Sequence, residues 1–284
     1  MRVILVPLVG DDHDRTALAA AYTIARPYRS HIEAMFVRPE LLDAIAELEG
    51  GSPEVLGSIR RATTAKWDER SGRARAAFDD ARGAAGAALA EQPGETDAIS
   101  TAWRERTGAV EAILPEAGRL ADLIVFAGVG VQADDPRRIA FEAALVGAAR
   151  PLLLVPEGGA EHIGRTIAVA WNGSVESTRA LVGAVPLLKQ ADELHVLTAA
   201  GARIEVEQAA ALARYLGWHG LNAQQHALYP ESSAGAALLA KANELGADLL
   251  VMGGYGHSRL RELIFGGVTR HVLHHYDLPV LITH

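Results

Sequence analysis

The stretch ADLLVMGGYGHSRLRELIFGGVT, residues 247–269, decides the fold of this chain. It opens with the unbroken apolar run Leu249–Met252, which is typical of a strand covered on both faces. Five glycines follow: Gly253, Gly254, Gly256, Gly266 and Gly267. They let the backbone turn tightly after the strand, and the last pair opens a predicted helix that runs to His275. Because the first amides of a helix lack partners, this stretch predicts a strand, a loop and a helix N-terminus suited to an anion.

The two halves of the chain are copies of one pattern. Residues 121–128, ADLIVFAG, resemble residues 247–254, ADLLVMGG, and each copy is followed further on by a proline and a predicted strand. Residues 4–18 align without a gap on residues 167–181. A repeat of this length indicates two similar domains in tandem.

The linker between the copies is rich in proline and glycine and covers Pro156–Gly164. We therefore predict an N-terminal domain over 1–156 and a C-terminal domain over 164–284. The first domain carries an insertion over about 39–90, whose Ala, Arg and Glu content favours helix, with a break near Gly50. The insertion is predicted to be an enlarged solvated helix on the sheet face, with a cover over a neighbouring site or a partner surface as alternatives.

Predicted strands and helices alternate in both halves. In the second half, five strands alternate with four helices between Thr166 and Thr283. This order predicts an α/β fold, a doubly wound, mostly parallel sheet with helices on both faces. Ligands of such sheets bind beyond the carboxyl ends of the strands, at a switch point, and the glycine loop follows the fourth strand there.

The spacing Gly253-x2-Gly256-x9-Gly266-Gly267 resembles the G-x2-G-x9-G-[ST] signature of the ATP-binding universal stress proteins. It departs from that signature at Gly267, where the family usually has Ser or Thr. The resemblance covers nearly the whole chain apart from the insertion. It implies two five-stranded, Rossmann-like domains of the adenine-nucleotide α-hydrolase-like type. It also implies ATP, with or without Mg²⁺, as the ligand of the second domain.

The family's nucleotide site can be carried over position by position. The resemblance implies as nucleotide-binding Ala170, Asn172, Val196, Gly253, Gly256, Gly266, Gly267, Val268 and Thr269. Ala170 and Val196 match positions that line the adenine pocket, and Asn172 stands where the family usually has Asp near the adenosine. Asn172 and Ser174 are equally typical of a turn followed by a helix cap. Both interpretations are compatible with the sequence.

The first half does not carry the same positions. Val9 aligns with Asn172, so no polar side chain is expected to face an adenosine there. After Gly128 the loop continues to Asp134 and Asp135, whose charges would repel a phosphate. We expect the first domain to be a degenerate partner of the second.

Composition excludes several classes of function. The net charge of −8 disfavours nucleic acid and anionic membrane surfaces as partners, and the absence of cysteine excludes disulfides and thiolate catalysis. No apolar run reaches the length of a membrane span, so we expect a cytoplasmic protein. His271 and His275 have helical spacing, but no nearby acid completes a metal site, and none is predicted. No nucleophile, base and oxyanion donor converge either, so no catalytic residue is predicted.

These observations predict a universal stress protein whose second domain binds an adenine nucleotide and hydrolyses it slowly at most. The resemblance implies that its last strands pair, within a monomer or across a homodimer. One alternative is a ligand-free regulatory protein that binds protein partners through the insertion. Another is an enzyme of the wider α-hydrolase-like group, but the SGGxDS-type loop of that group is missing after both first strands.

Overall fold

The computed structural model describes residues 1–40, 53–130, 132–199, 206–230, 233–254 and 267–284. The chain divides into two compact units, 1–148 and 149–284. Of the helices in the described ranges, none combines the length and the apolar character that a membrane span requires.

The first unit is a parallel sheet with helices packed on it. Its strands are β1 (Val3–Leu8), β2 (His31–Arg38), β3 (Ala88–Leu89), β4 (Ser100–Thr107) and β5 (Leu123–Ala127). Its helices are α1 (His13–Ala25), α2 (Pro53–Ala85), α3 (Val110–Gly118) and α4 (Pro136–Gly147). The strands lie in the order β3-β4-β2-β1-β5, and every pair in it is parallel. All residues of β5 are buried, as the unbroken apolar run predicted.

The second unit repeats this architecture. Its strands are β6 (Leu152–Val155), β7 (Thr166–Ala170), β8 (Glu193–Ala199), β9 (Gln224–Leu228), β10 (Leu249–Gly253) and β11 (Val280–Thr283). Its helices are α5 (Val175–Leu188), α6 (Val206–Trp218), α7 (Ala234–Glu244) and α8 (Gly267–His275). The strand order is β6-β11-β10-β7-β8-β9. All neighbours are parallel except β6, which runs antiparallel to β11.

The predicted fold class is confirmed, because both units are mostly parallel α/β sheets. The predicted strands of the second half are present, and Leu249–Met252 are all buried in β10. The pairing of β6 with β11 matches what the resemblance implied, because these are the last strands of the two predicted domains, while the antiparallel direction did not follow from the sequence.

The insertion forms the longest helix of the described chain. From Pro53 onward it is a single helix of 33 residues, and the break expected near Gly50 lies outside the described residues. The helix packs against α1 and against β2 and β4. Its Phe78 ring lies 5.8 Å from the ring of Trp103, and its Trp67 ring lies 6.4 Å from that of Phe36. The insertion is therefore anchored on the sheet of the first unit.

Candidate functional site

The carboxyl ends of three neighbouring strands form the floor of the candidate site in the second unit. Strand β7 lies between β10 and β8, so Ala170 and Gly253 end adjacent strands at the same edge of the sheet. The chain leaves β7 towards β8 on one side and returns to β10 on the other, which makes this edge the switch point. Val196, in β8, is 2% exposed and lies opposite Val169 of β7. These predicted residues therefore share one region.

Gly253 is required by a close approach between backbones. A Cβ atom at this position would lie 2.5 Å from the carbonyl carbon of Glu176 and 2.5 Å from the nitrogen of Ser177. The first turn of α5 consequently packs directly on the end of β10. Any larger residue at this position would push the helix away from the strand.

The turn after β7 caps the following helix. The Asn172 side-chain oxygen accepts a hydrogen bond from the Ser174 nitrogen at 3.1 Å. The Ser174 hydroxyl oxygen accepts one from the Ser177 nitrogen at 3.1 Å, which makes Ser174 the N-cap of α5. The geometry thus gives the turn-and-cap interpretation, while the Asn172 side chain remains exposed.

Helix α8 begins at Gly267, which is exposed, and no atom of the described residues lies within 4 Å of the position of a Cβ atom there. Two residues further on, Thr269 is only 5% exposed and its methyl group packs near Gly254. Val268 is half-buried, and its carbonyl oxygen lies close to Gly235 of α7. The first residue of α8 is therefore exposed, whereas Thr269, two residues later, is packed inside the unit. Of the predicted phosphate-contacting residues, Gly256 and Gly266 lie outside the described residues.

A cavity of about 360 Å³ adjoins the turn after β7, and sequence reasoning did not find it. It lies between α5 and α6 and is lined by Trp171, Leu181 and Tyr215, among others. The Trp171 indole nitrogen is buried and has no hydrogen-bond partner among the described residues. No sequence signal marks this cavity, because it arises where two helices meet.

The loop after β1 in the first unit is closed by internal charges. The Asp14 carboxylate is fully buried and accepts hydrogen bonds from the backbone nitrogens of Val9 at 3.1 Å and Gly10 at 2.8 Å. The Arg137 guanidinium, 2% exposed, donates to the Ala127 carbonyl at 3.0 Å and to Asp11, and lies 3.5 Å from Asp14. We call Asp11, Asp14 and Arg137 the ion cluster. It occupies the amides and the space that a ligand anion would need.

The two acids of the ion cluster respond to it in opposite directions. Burial raises the pKa of Asp14 above its ordinary value of 3.8, and the Arg137 charge and the two amide hydrogen bonds offset this only in part. Burial also acts to raise the pKa of Asp11, but attraction to Arg137 and the hydrogen bond from it outweigh burial and leave this pKa below 3.8. Asp11 is therefore the acid that stabilises the folded unit in its charged form.

An Asp11→Asn variant should reveal this through the pH dependence of thermal melting. Because the pKa of Asp11 is lowered on folding, its stabilisation is present above the unfolded pKa and is lost as the pH falls through the folded value. We expect wild type to melt above the variant near neutral pH, and the gap to shrink below about pH 4. Asp14, which acts in the opposite sense, is present in both proteins. A gap that stays constant down to about pH 3 would contradict this assignment.

The insertion helix α2 lies directly over the same loop. Gly10 has a φ of +77°, and a Cβ atom there would overlap the carbonyl of Arg70 in α2. Gly128, which follows β5 with a φ of +59°, has no room for a Cβ atom beside the His13 ring. The first unit therefore covers with its own atoms the loop that aligns with the turn after β7.

Comparisons with known proteins agree with this geometry. Residues 205–284 match the model of the universal stress protein family. Among solved structures, a universal stress protein from Archaeoglobus fulgidus DSM 4304 is 16% identical, with 99% of this chain and 97% of that chain covered and a TM-score of 0.69. A putative universal stress protein from Pseudomonas aeruginosa UCBPP-PA14 is 18% identical, with 100% and 93% covered and a TM-score of 0.57.

A third similar structure is a functionally unknown protein from Pseudomonas aeruginosa PAO1, 19% identical, with 100% of this chain and 92% of that chain covered and a TM-score of 0.58. No match was found among the curated proteins. At these identities the solved structures show a common fold, while the family model matches part of the second unit from its sequence. Residues 205–284 therefore resemble the universal stress protein family, and the chain has the fold of solved universal stress proteins along nearly its whole length.

Proposed function

We propose that this is a cytoplasmic stress-response protein whose second unit binds ATP or another adenine nucleotide without efficient catalysis. The observation that carries the proposal is that the matched family region contains the glycine spacing, with β10 ending next to β7 at the switch point before that loop and α8 beginning after it. Parallel sheets bind nucleotides at this position because the strand ends and helix N-termini converge there.

The described residues supply two different surfaces for a nucleotide. Ala170 and Val196 end or border the central strands and offer an apolar floor for a base. Gly267 offers an open helix start, where unpaired backbone amides and the positive end of the helix dipole favour a phosphate. The exposed Asn172 side chain, two residues after Ala170, is suited to hydrogen bonds with a ribose.

The same residues do not supply hydrolysis. The Ser174 hydroxyl is engaged as a helix cap, and the side-chain group that it contacts within the described residues is the Ser177 hydroxyl at 3.4 Å, which is not a base. A serine in that setting lacks the proton acceptor that nucleophilic attack requires. We therefore propose that bound ATP acts as a signal or a stabilising ligand.

A second candidate is a ligand-free regulatory protein. Two observations favour it: Gly267 lacks the hydroxyl that the family usually has, and Asn172 is used in the turn. Under this hypothesis, substitutions at Gly267 would leave function unchanged. The two hypotheses thus make opposite predictions at one residue.

Substitutions at Gly267 test the nucleotide site without disturbing the fold. There is space for a side chain, so Gly267→Ser should restore the family's hydroxyl and tighten ATP binding roughly two- to tenfold, since one added hydrogen bond contributes about 0.5–1.5 kcal/mol. Gly267→Asp should weaken binding by more than about tenfold, because its carboxylate would repel the phosphates. Calorimetric titration of each variant with ATP and Mg²⁺ measures both effects.

The aspartate variant carries its own stability control. A negative charge in the first turn of a helix interacts favourably with the positive end of the helix dipole. The Gly267→Asp variant should therefore melt at or above the wild-type temperature when no ligand is present. Gly267→Ala, which adds neither hydroxyl nor charge, is the matched control and should bind ATP like wild type. Equal ATP affinities for the serine, alanine and aspartate variants would refute the proposal.

A further inference from the structure

The first unit contains a cavity of about 350 Å³ at the carboxyl ends of β1, β2 and β4. Its walls include Leu8 at the end of β1 and Val9 after it, Val37 in β2, and Val110 and Ile139 in the first turns of α3 and α4. The cavity thus lies in the region where a parallel sheet binds its ligand. Its volume is at the lower end of the range for small-molecule sites.

The lining of this cavity is almost entirely apolar. Among the described residues that form it, Glu111 is the only one with an ionisable side chain, and that residue is exposed. Pro7, Met35 and Leu114 contribute further apolar surface. A ligand there would gain its affinity from buried apolar area, at about 25 cal/mol per Å².

The polar groups that would bind a phosphate beside this cavity are already in use. The Val9 and Gly10 amides donate to the Asp14 carboxylate, and the Arg137 guanidinium is bound to Asp11 and to the Ala127 carbonyl. The ion cluster has two acids and one base and therefore a net negative charge when all three are ionised. With Glu111 at the cavity as well, an anionic ligand would be repelled.

Helix α2 completes the cavity with an aromatic side chain. Trp67 is half-buried, lines the cavity and packs edge to face on Phe36. Aromatic walls favour apolar and ring-containing ligands, since they combine large contact area with few rotatable bonds. The insertion thus contributes to a binding wall as well as to the sheet packing.

We propose that the first unit binds a neutral, predominantly apolar small molecule in this cavity, while nucleotides are excluded from it. The site differs in ligand class from the nucleotide site proposed for the second unit and does not depend on it. The two units of the repeat would then have diverged in ligand chemistry at the same edge of their sheets.

Fluorescence titration of the full chain with Nile red, a neutral apolar dye, tests the proposal. We expect saturable binding of one dye per chain, with no displacement by ATP. Val110→Trp fills the cavity and should raise the dissociation constant at least about tenfold, a change of roughly 1.4 kcal/mol. Ala112→Trp places the same side chain on the same helix at an exposed residue outside the lining and should leave the constant within about twofold.

A second filling variant guards against misfolding. The tryptophan of Ile139→Trp would fill the cavity from α4, so this variant should bind Nile red more weakly, as Val110→Trp does. Thermal melting of both variants identifies any that fail to fold. The anionic dye anilinonaphthalene sulfonate should bind more weakly than Nile red. Failure of Nile red to bind, or wild-type dye affinity in both folded filling variants, would overturn the proposal.

The outcome is separable from that of the nucleotide site. Gly267→Asp should lose ATP binding and retain Nile red binding, whereas Val110→Trp should lose Nile red binding and retain ATP binding. If Gly267→Asp also loses the dye, the dye is bound in the second unit and the inference is wrong. If no variant binds ATP but the dye behaves as described, only the nucleotide proposal fails.

Discussion

Arg137→Ala is expected to lower the free energy of unfolding of the first unit by about 3–5 kcal/mol. The guanidinium is 2% exposed and lies between Asp11, the fully buried Asp14 and the Ala127 carbonyl. Its removal leaves the Asp14 carboxylate buried beside no positive charge, which costs far more than a lost surface ion pair. Urea denaturation, with hydrogen exchange assigned to the first unit, measures the loss.

The matched control is a surface ion pair of the same unit. Arg15 and Asp80 form a contact of 2.9 Å, but their side chains are 61% and 65% exposed. Arg15→Ala should therefore change the free energy of unfolding by less than about 1 kcal/mol. Similar effects from the two arginine variants would show that Arg137 is not holding the loop after β1 together.

Gly10→Ala is expected to destabilise the first unit by about 2–5 kcal/mol, from backbone strain and overpacking together. Its φ of +77° is unfavourable for alanine, and the added Cβ atom would overlap the Arg70 carbonyl of α2. Because α2 also carries Trp67 into the cavity wall, Nile red affinity should fall in the same variant. Chemical denaturation and dye titration check the two consequences.

The Gly86→Ala variant measures the cost of a positive φ without the steric overlap that is present at Gly10. Gly86 follows α2 with a φ of +65°, close to that of Gly10, but nothing lies within 4 Å of its Cβ position. Its substitution should cost only the left-handed strain of about 1–2 kcal/mol and leave the dye site intact. Equal losses from the two glycine variants would mean that α2 does not press on the loop.

The fold was predictable because local patterns carried it. The apolar run of β10 predicted a buried strand, and the cap, one of the two interpretations left open for Asn172 and Ser174, is present in the structure. The pairing of β6 with β11 was implied by the resemblance, but its antiparallel direction was not, since hydrophobic periodicity predicts burial and does not specify strand direction. The repeat boundaries at residues 156 and 164 remain a proposal about domain organisation.

The candidate sites were predictable only in part. Glycine spacing located the loop between β10 and α8, but it did not show that Gly253 is required by the first turn of α5 or that Thr269 is buried. In the first unit, the expectation from Val9 that no polar side chain faces an adenosine stays a prediction. The link from Asp14 to Arg137 escaped sequence reasoning because these residues are distant in the chain and meet only through the fold.

Calorimetric titration of the full chain with ATP and Mg²⁺ tests the central claim most directly, because it counts sites. We expect one ATP per chain, bound in the second unit, since the ion cluster closes the corresponding loop of the first. Binding of no ATP would contradict the proposed nucleotide site. Binding of two ATP molecules per chain would contradict the assignment of the first unit to a neutral apolar ligand.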